Sequence, residues 1–62
     1  MQVVKILTKT NEYIRIATSN SGANMYSYYV NDEVTKCTFN KASFIEYLKS
    51  VKVPKKYIKE VI

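Results

Sequence analysis

The residues that could perform acid–base chemistry are five carboxylates, and they are scattered along the chain. They are Glu12, Asp32, Glu33, Glu46 and Glu60. Paired-carboxylate catalysis needs two such groups in one pocket, in environments that separate their pKa values. Glu12 and Asp32 fall in or beside predicted turns, whereas Glu46 and Glu60 fit exposed faces of predicted helices. The pattern favours solvated surface carboxylates.

The candidate nucleophiles also lack the neighbours that would activate them. The chain has no histidine, so Cys37 is expected to be a small buried thiol in a strand and not a nucleophile. Ser43 follows Lys41 closely, but at a helix start it is better interpreted as a capping group. Gly22 is the only glycine, whereas phosphate-binding loops need several. We therefore expect no enzyme activity, no metal site and no cofactor.

The charge is concentrated in the last quarter of the chain. Ten Lys and Arg residues against five Asp and Glu residues give a formal charge of +5. A lysine stripe of this kind can neutralise phosphates, with salt-sensitive and sequence-independent binding. The alternative is a solvated face that prevents association, and no membrane partner is expected because the apolar face is short. The candidate phosphate contacts are Lys52, Lys55, Lys56 and Lys59.

Six tyrosines form the second notable feature. In the strand register assumed below, Tyr13, Tyr26 and Tyr28 surround Arg15 on one sheet face. Aromatic rings beside a guanidinium could stack on unpaired bases, could anchor a protein interface, or could simply pack at sheet margins. Arg15, Tyr26 and Tyr28 are the candidate binding residues of this face, and the three interpretations stay open.

The elements that position these residues follow from periodicity and turn chemistry. Asn31-Asp32 suits a tight hairpin turn, and the segment 19–24 around Gly22 is a loop. Asn40 is a candidate helix N-cap, with Phe39 and Phe44 at the positions of a hydrophobic staple. Pro54 separates a helix over 40–51 from a shorter one, in which Tyr57, Ile58, Val61 and Ile62 are expected to turn inward. The predicted strands are Gln2–Thr8, Glu12–Thr18, Met25–Val30 and Glu33–Phe39. The predicted fold is therefore α+β, a three- or four-stranded antiparallel meander followed by the two helices.

Two-residue turns at Thr10-Asn11 and Asn31-Asp32, with Thr18 opposite Met25, divide the strand residues between two faces. The first face collects Val3, Lys5, Leu7, Ile14, Ile16, Met25, Tyr29, Val34 and Lys36. The second face collects Val4, Ile6, Tyr13, Arg15, Ala17, Tyr26, Tyr28, Val30, Cys37 and Phe39. Neither face is polar, and one amphipathic helix can cover only one of them. The uncovered face is expected to be an interface, unless the two helical pieces together wrap enough of the sheet.

The length of the chain, its single cysteine and its first residues predict the number of domains, the cellular setting and the oligomeric state. A chain of 62 residues forms one domain, 1–62, and buries only about 60% of its unfolded surface. One Cys cannot form an intramolecular disulfide, which indicates a reducing cytoplasmic setting, and residues 1–6 lack the pattern of a signal peptide. Self-association is the common remedy for so small a core, so a homodimer is expected.

Four strands followed by a helix resemble, in element order, the single-stranded-DNA-binding domains of the transcriptional-coactivator type, although the Gly- and Lys-rich stretches before the helix are missing. Three strands and a helix resemble the small DNA-binding domains at integrase N-termini. The Lys-, Asn-, Ile- and Tyr-rich composition resembles small phage and mobile-element proteins, many of which disable a host protein. These likenesses imply a binding module but establish no function. The leading hypothesis is nucleic-acid binding, and the alternative is a protein-binding modulator or inhibitor.

Overall fold

The computed structural model describes residues 2–62, and Met1, the first residue of the predicted domain, lies outside them. The strands are β1 (Gln2–Lys9), β2 (Glu12–Thr18), β3 (Asn24–Val30) and β4 (Glu33–Thr38), and the helices are α1 (Lys41–Ser50) and α2 (Lys55–Val61). The strands form one antiparallel sheet in the order β1-β2-β3-β4. The predicted α+β fold is confirmed, with four strands in the meander. No helix in the described part of the chain is long and apolar enough to cross a membrane.

Local turn chemistry sets most element boundaries. Asn31 and Asp32 have φ angles of 53° and 63°, as a type I′ hairpin turn requires. Gly22, at φ 89°, donates its N–H to the Ser19 carbonyl oxygen at 3.0 Å and so closes the loop between β2 and β3. The side chain of Asn40 accepts the Ser43 N–H at 3.1 Å, which confirms the predicted N-cap of α1. Ser43 therefore provides the capped N–H and is not itself the cap.

The core lies between one face of the sheet and the two helices. Ile14 of β2 and Phe44 and Leu48 of α1 are completely buried. Phe44 stacks on Tyr26 with 5.5 Å between ring centroids, so α1 lies over the β3–β4 side of the sheet. The other buried apolar side chains of this core are Tyr26, Tyr28, Val53, Ile58 and Val61.

Three apolar residues beside the helices are exposed, and two of them, Phe39 and Ile62, are expected from the sequence to be packed. Phe39 is 66% exposed, so the predicted hydrophobic staple with Phe44 is wrong. Val51 is the C-cap of α1 and is exposed because the helix ends there. Ile62 follows the last residue of α2 and is 72% exposed. In each case the residue lies just outside a helix, where helical periodicity no longer determines the direction of the side chain.

The predicted faces are wrong because the strand register shifts at three places. Thr8 is an unpaired extra residue in β1, between Leu7 and Lys9, and Thr35 is the corresponding residue in β4. Thr18 pairs with Asn24 and not with Met25. Each shift of one residue moves the following side chains to the opposite face. Both bulge threonines donate their hydroxyls to carbonyl oxygens of the neighbouring strand, Thr8 to Glu12 at 3.1 Å and Thr35 to Tyr28 at 3.0 Å.

The turn after α1 contains a non-glycine residue, Lys52, in a left-handed backbone conformation. The N–H of Val53 donates to Leu48 and the N–H of Lys52 to Lys49, which is the hydrogen-bond pattern of a Schellman motif. Lys52 occupies the left-handed position of this motif at φ 62°, where glycine is usual.

We predict that Lys52→Gly stabilises the protein by about 1 kcal/mol, because the left-handed conformation costs a residue with a Cβ about that much. In a domain of this size the melting temperature should rise by about 4–8 °C. Lys52→Ala is the control, since it removes the charge but keeps the Cβ. Equal stability of the glycine and alanine variants would show that backbone strain is not the cause.

Candidate functional site

The face of the sheet away from the helices, here called the open face, consists of three rows of side chains that run across the strands. The register places Val3, Ala17 and Met25 side by side in the Met25 row. The Arg15 row contains Lys5, Arg15, Ser27 and Cys37, and the Tyr13 row contains Leu7, Tyr13, Tyr29 and Val34. Apolar rows therefore flank a polar central row. Among the described residues, no acidic one stands in these three rows, and Asp32 lines a hollow with Lys5 and Tyr13 at the turn end of the face.

The Tyr13 row is a packed ladder of rings and aliphatic groups. The rings of Tyr13 and Tyr29 stack with 4.8 Å between centroids and an interplanar angle of 6°. The Lys5 ammonium lies 4.2 Å from the centroid of the Tyr13 ring. Because β2 lies between β1 and β3, Lys5 and Tyr29 cover opposite faces of the Tyr13 ring. The ladder thus offers ring edges and hydroxyls, and not an open face of the Tyr13 ring, to an incoming ligand.

Arg15 borders a shallow hollow of about 360 Å³ at the Met25 end of the open face. Its other lining residues are Ala17, Ser19, Ala23, Met25 and Phe39. Phe39 thus extends the apolar area of the open face instead of closing over α1. The hollow combines one guanidinium with an apolar floor, a combination that suits a side chain with an apolar stem and an acidic or polar end.

Cys37 is a free thiol on the open face, and it is exposed. The expectation of a buried thiol is therefore wrong, because the Thr35 bulge reverses the direction of the side chains that follow it in β4. The hydroxyl of Ser27, which is buried by its neighbours, donates to Cys37 Sγ at 3.6 Å. Cys37 therefore lies at the β4 end of the Arg15 row, where its thiol can be alkylated from solvent.

The predicted Tyr–Arg platform does not exist as one surface. Arg15 lies on the open face opposite Ser27. Tyr26 and Tyr28 are 5% and 3% exposed and belong to the core beneath α1. The structure groups Arg15 instead with Lys5, Tyr13 and Tyr29. The predicted register places Tyr29 on the face opposite Arg15. The cause is the one-residue shift at Thr18, which pairs with Asn24 and not with Met25. The sequence of the loop between β2 and β3 does not indicate at which residue pairing resumes.

Tyr28 is a structural residue with a perturbed hydroxyl. Its hydroxyl donates to the Glu12 carboxylate at 2.7 Å, and its ring meets Tyr47 edge to face at 6.0 Å. Burial, followed by the hydrogen bond to Glu12, raises the pKa of Tyr28 above its usual value of 10.0. The folded state therefore holds this proton more tightly than the unfolded chain does.

The C-terminal lysines lie on the other side of the sheet, in the helical layer. Lys55 and Lys59 line a hollow of about 450 Å³ together with Lys49, over a floor of Val53, Ile58 and Ile62. Lys56 turns instead toward Tyr57, with its ammonium 4.9 Å from the ring centroid, and Lys52 lies in the turn after α1. The structure thus brings together Lys55 and Lys59, adds Lys49, and separates the other two predicted phosphate contacts from them.

Arg15 and the lysine hollow therefore lie on opposite sides of the sheet, and they constitute two surfaces of different chemistry. The open face is apolar and aromatic with two cations, whereas the hollow is a cluster of three ammonium groups around a small apolar floor. Among residues 2–62, no group of three or more His, Cys, Asp or Glu side chains could hold a metal ion.

Comparison with known proteins gives no match to any protein-family model, curated protein or solved structure. Functional inference for this chain therefore depends on the geometry and chemistry of these two surfaces.

Tyr28→Phe tests the contribution of the buried hydroxyl. We predict a loss of about 2 kcal/mol of stability near neutral pH, the usual contribution of a hydrogen bond to a charged group. Because the folded pKa is raised, this contribution is complete below pH 10 and disappears as the pH rises through the raised pKa. The difference in free energy of unfolding between the wild type and the variant should therefore shrink in alkaline solution.

Denaturant unfolding at several pH values measures that difference. Tyr57→Phe is the control, since among the described residues the structure gives its hydroxyl no hydrogen bond, and it should change stability little at any pH. A Tyr28→Phe difference that stays constant well above pH 10 would contradict the assignment.

Proposed function

We propose that this chain is a non-enzymatic binding module that docks a protein partner on its open face. The observation that carries the proposal is the uncovered sheet surface, on which two apolar rows flank Lys5 and Arg15. Four strands about 4.8 Å apart and about six residues long give this face a projected area of about 400 Å². Uncovered surfaces on which apolar side chains cluster often have a function.

The residue types of the open face are those that anchor protein interfaces. Tyrosine, phenylalanine, methionine and arginine are enriched at the centres of such interfaces, and the face or its edge presents Tyr13, Arg15, Met25, Tyr29 and Phe39. The stacked pair Tyr13–Tyr29 is already ordered by its own contacts, so little side-chain entropy remains to be lost on binding. These features support a rigid recognition surface.

Charge indicates what kind of protein surface fits. The three rows of the open face contain two cations and, among the described residues, no acid, while Asp32 lines a hollow beside Lys5 at the turn end of the face. A partner of complementary chemistry presents apolar side chains together with carboxylates that reach Lys5 and Arg15. We therefore propose an acidic and apolar protein surface as the partner, consistent with a modulator or inhibitor of another protein, which a phage or mobile element could encode. An exposed free thiol on this face also fits a reducing, cytoplasmic environment.

Base stacking on the open face is less well supported than protein docking. A base needs a free ring face to stack on, but Lys5 and Tyr29 occupy both faces of the Tyr13 ring. The two tyrosines chosen from the sequence, Tyr26 and Tyr28, are buried. A single strand bound to this face would therefore find neither face of the Tyr13 ring free.

Affinity capture with open-face variants tests the proposal. After nuclease treatment of a host lysate, we expect the wild-type chain to retain a protein that Leu7→Glu and Arg15→Glu no longer retain. The same complex should protect Cys37 from alkylation, because the thiol lies in the Arg15 row. Lys55→Glu is the matched control for charge reversal, and it should retain the protein since Lys55 lies in the helical layer. Retention that is equal for Arg15→Glu and the wild type would contradict docking on this face.

A second candidate function is phosphate binding by the lysine hollow. From residue 41 onward the chain contains six lysines against two glutamates, and three of these lysines surround one hollow. This arrangement supports non-specific nucleic-acid binding through the helical layer, independent of the open face.

Titration of fluorescent single- and double-stranded oligonucleotides at several salt concentrations tests this candidate. Replacing Lys49, Lys55 and Lys59 with alanine should make the slope of log K against log salt shallower by about 1 for each phosphate contact that is lost. The control replaces three lysines of the sheet, Lys5, Lys9 and Lys36, with alanine, which changes the net charge equally. Equal changes in slope for the two triple variants, or no binding at the lowest salt, would eliminate a lysine-hollow site.

A further inference from the structure

The two edges of the sheet differ in how they are protected. The β4 edge contains the Thr35 bulge, and the Tyr47 hydroxyl of α1 donates to Thr35 Oγ1 at 3.2 Å beside it. Bulges and covering helices are the usual devices that prevent an edge strand from pairing with another chain. The β4 edge is therefore closed to a further strand.

The β1 edge lacks these devices over most of its length. Its bulge lies near its end, at Thr8, so that Gln2–Leu7 forms a regular run. Val3 and Leu7 are exposed on the open face, and Val4 is exposed on the other face. Lys5 is the one charged residue of this run. Its ammonium lies over the Tyr13 ring, toward β2, and so does not place a charge at the edge where another strand would pair. A regular strand that exposes apolar side chains on both faces is a template for strand addition.

We infer that β1 pairs antiparallel with β1 of a second copy of the chain, joining two sheets into one of eight strands. The domain's own core is small, since it comprises only eight buried apolar side chains among the described residues. A core of that size, without a disulfide or metal, is commonly supplemented by self-association. Pairing at β1 would cover Val3 and Val4 on both copies and would satisfy the unpaired backbone groups of the edge.

The sequence of β1 restricts the register of this pairing. If the two-fold axis passed through Lys5, two like-charged residues would lie opposite each other, which is unfavourable even with each ammonium over its own Tyr13 ring. If the axis passed through Ile6, Val4 would lie opposite the bulge at Thr8. An axis at Val4 avoids both problems, because it places Val4 opposite its own copy and Val3 opposite Lys5. In this register the open faces of both copies lie on the same side of the joined sheet.

Cysteine cross-linking tests both the edge and the register. In a Cys37→Ser background, Val4→Cys should form an intermolecular disulfide, since residues opposite each other in paired strands have Cβ atoms about 4.5–5.5 Å apart. Val34→Cys in the same background is the matched control, because Val34 is 53% exposed and Val4 is 51% exposed. Val34 lies on the protected edge and should not cross-link.

Molecular mass in solution provides the second measurement and needs no cysteine chemistry. Light scattering across a concentration series should give twice the 7.2 kDa of one chain for the wild type and for Val34→Lys. Val4→Lys should give the mass of one chain, because it places a charge at the axis. A monomeric wild type at all concentrations would overturn the inference. So would a dimer that Val4→Lys leaves intact, or a Val34→Cys variant that cross-links as readily as Val4→Cys.

Discussion

One helical layer packed against one face of a four-stranded sheet is the constraint on which the rest of this structure depends. Phe44 and Leu48 are the completely buried residues of α1, and Ile14 lies opposite them in the sheet. Since Ile58 and Val61 of α2 belong to the same core as α1, both helices lie on this one face and leave the other face of the sheet uncovered. The exposed apolar residues of the sheet are therefore a consequence of this one-sided architecture.

The local features of the fold could be predicted from the sequence because each has its cause within a few residues. Asn31-Asp32 tolerates positive φ, Asn40 caps the following helix, and Pro54 separates two helices. The side-chain directions in the sheet could not be predicted, because a bulge is a property of two strands together. Nothing in the sequence around Thr8 or Thr35 distinguishes a bulge from a paired position. One such residue moved Cys37 from the expected core to the open face.

The candidate site was predictable to the same extent. The sequence was sufficient to predict that the helices would leave one face of the sheet uncovered. This prediction required only that both sheet faces be apolar and that the helices be able to cover one of them. The tyrosines on that face depended on the register, so Tyr26 and Tyr28 were assigned to a binding surface although they lie in the core. The basic C-terminal segment was predicted as one lysine stripe, and of its four lysines the structure brings Lys55 and Lys59 together in one hollow.

The separation of the two cationic surfaces restricts what one ligand can do. A ligand on the open face reaches Lys5 and Arg15, and the sheet itself prevents it from reaching Lys49, Lys55 or Lys59. Binding at one surface therefore leaves the other available, and the two differ in their dependence on salt because only the lysine hollow is dominated by charge. Pairing at β1 would add a geometric consequence. With Val4 at the axis, two open faces would lie side by side on one sheet, so that a partner with two matching surfaces would gain avidity without any new type of contact.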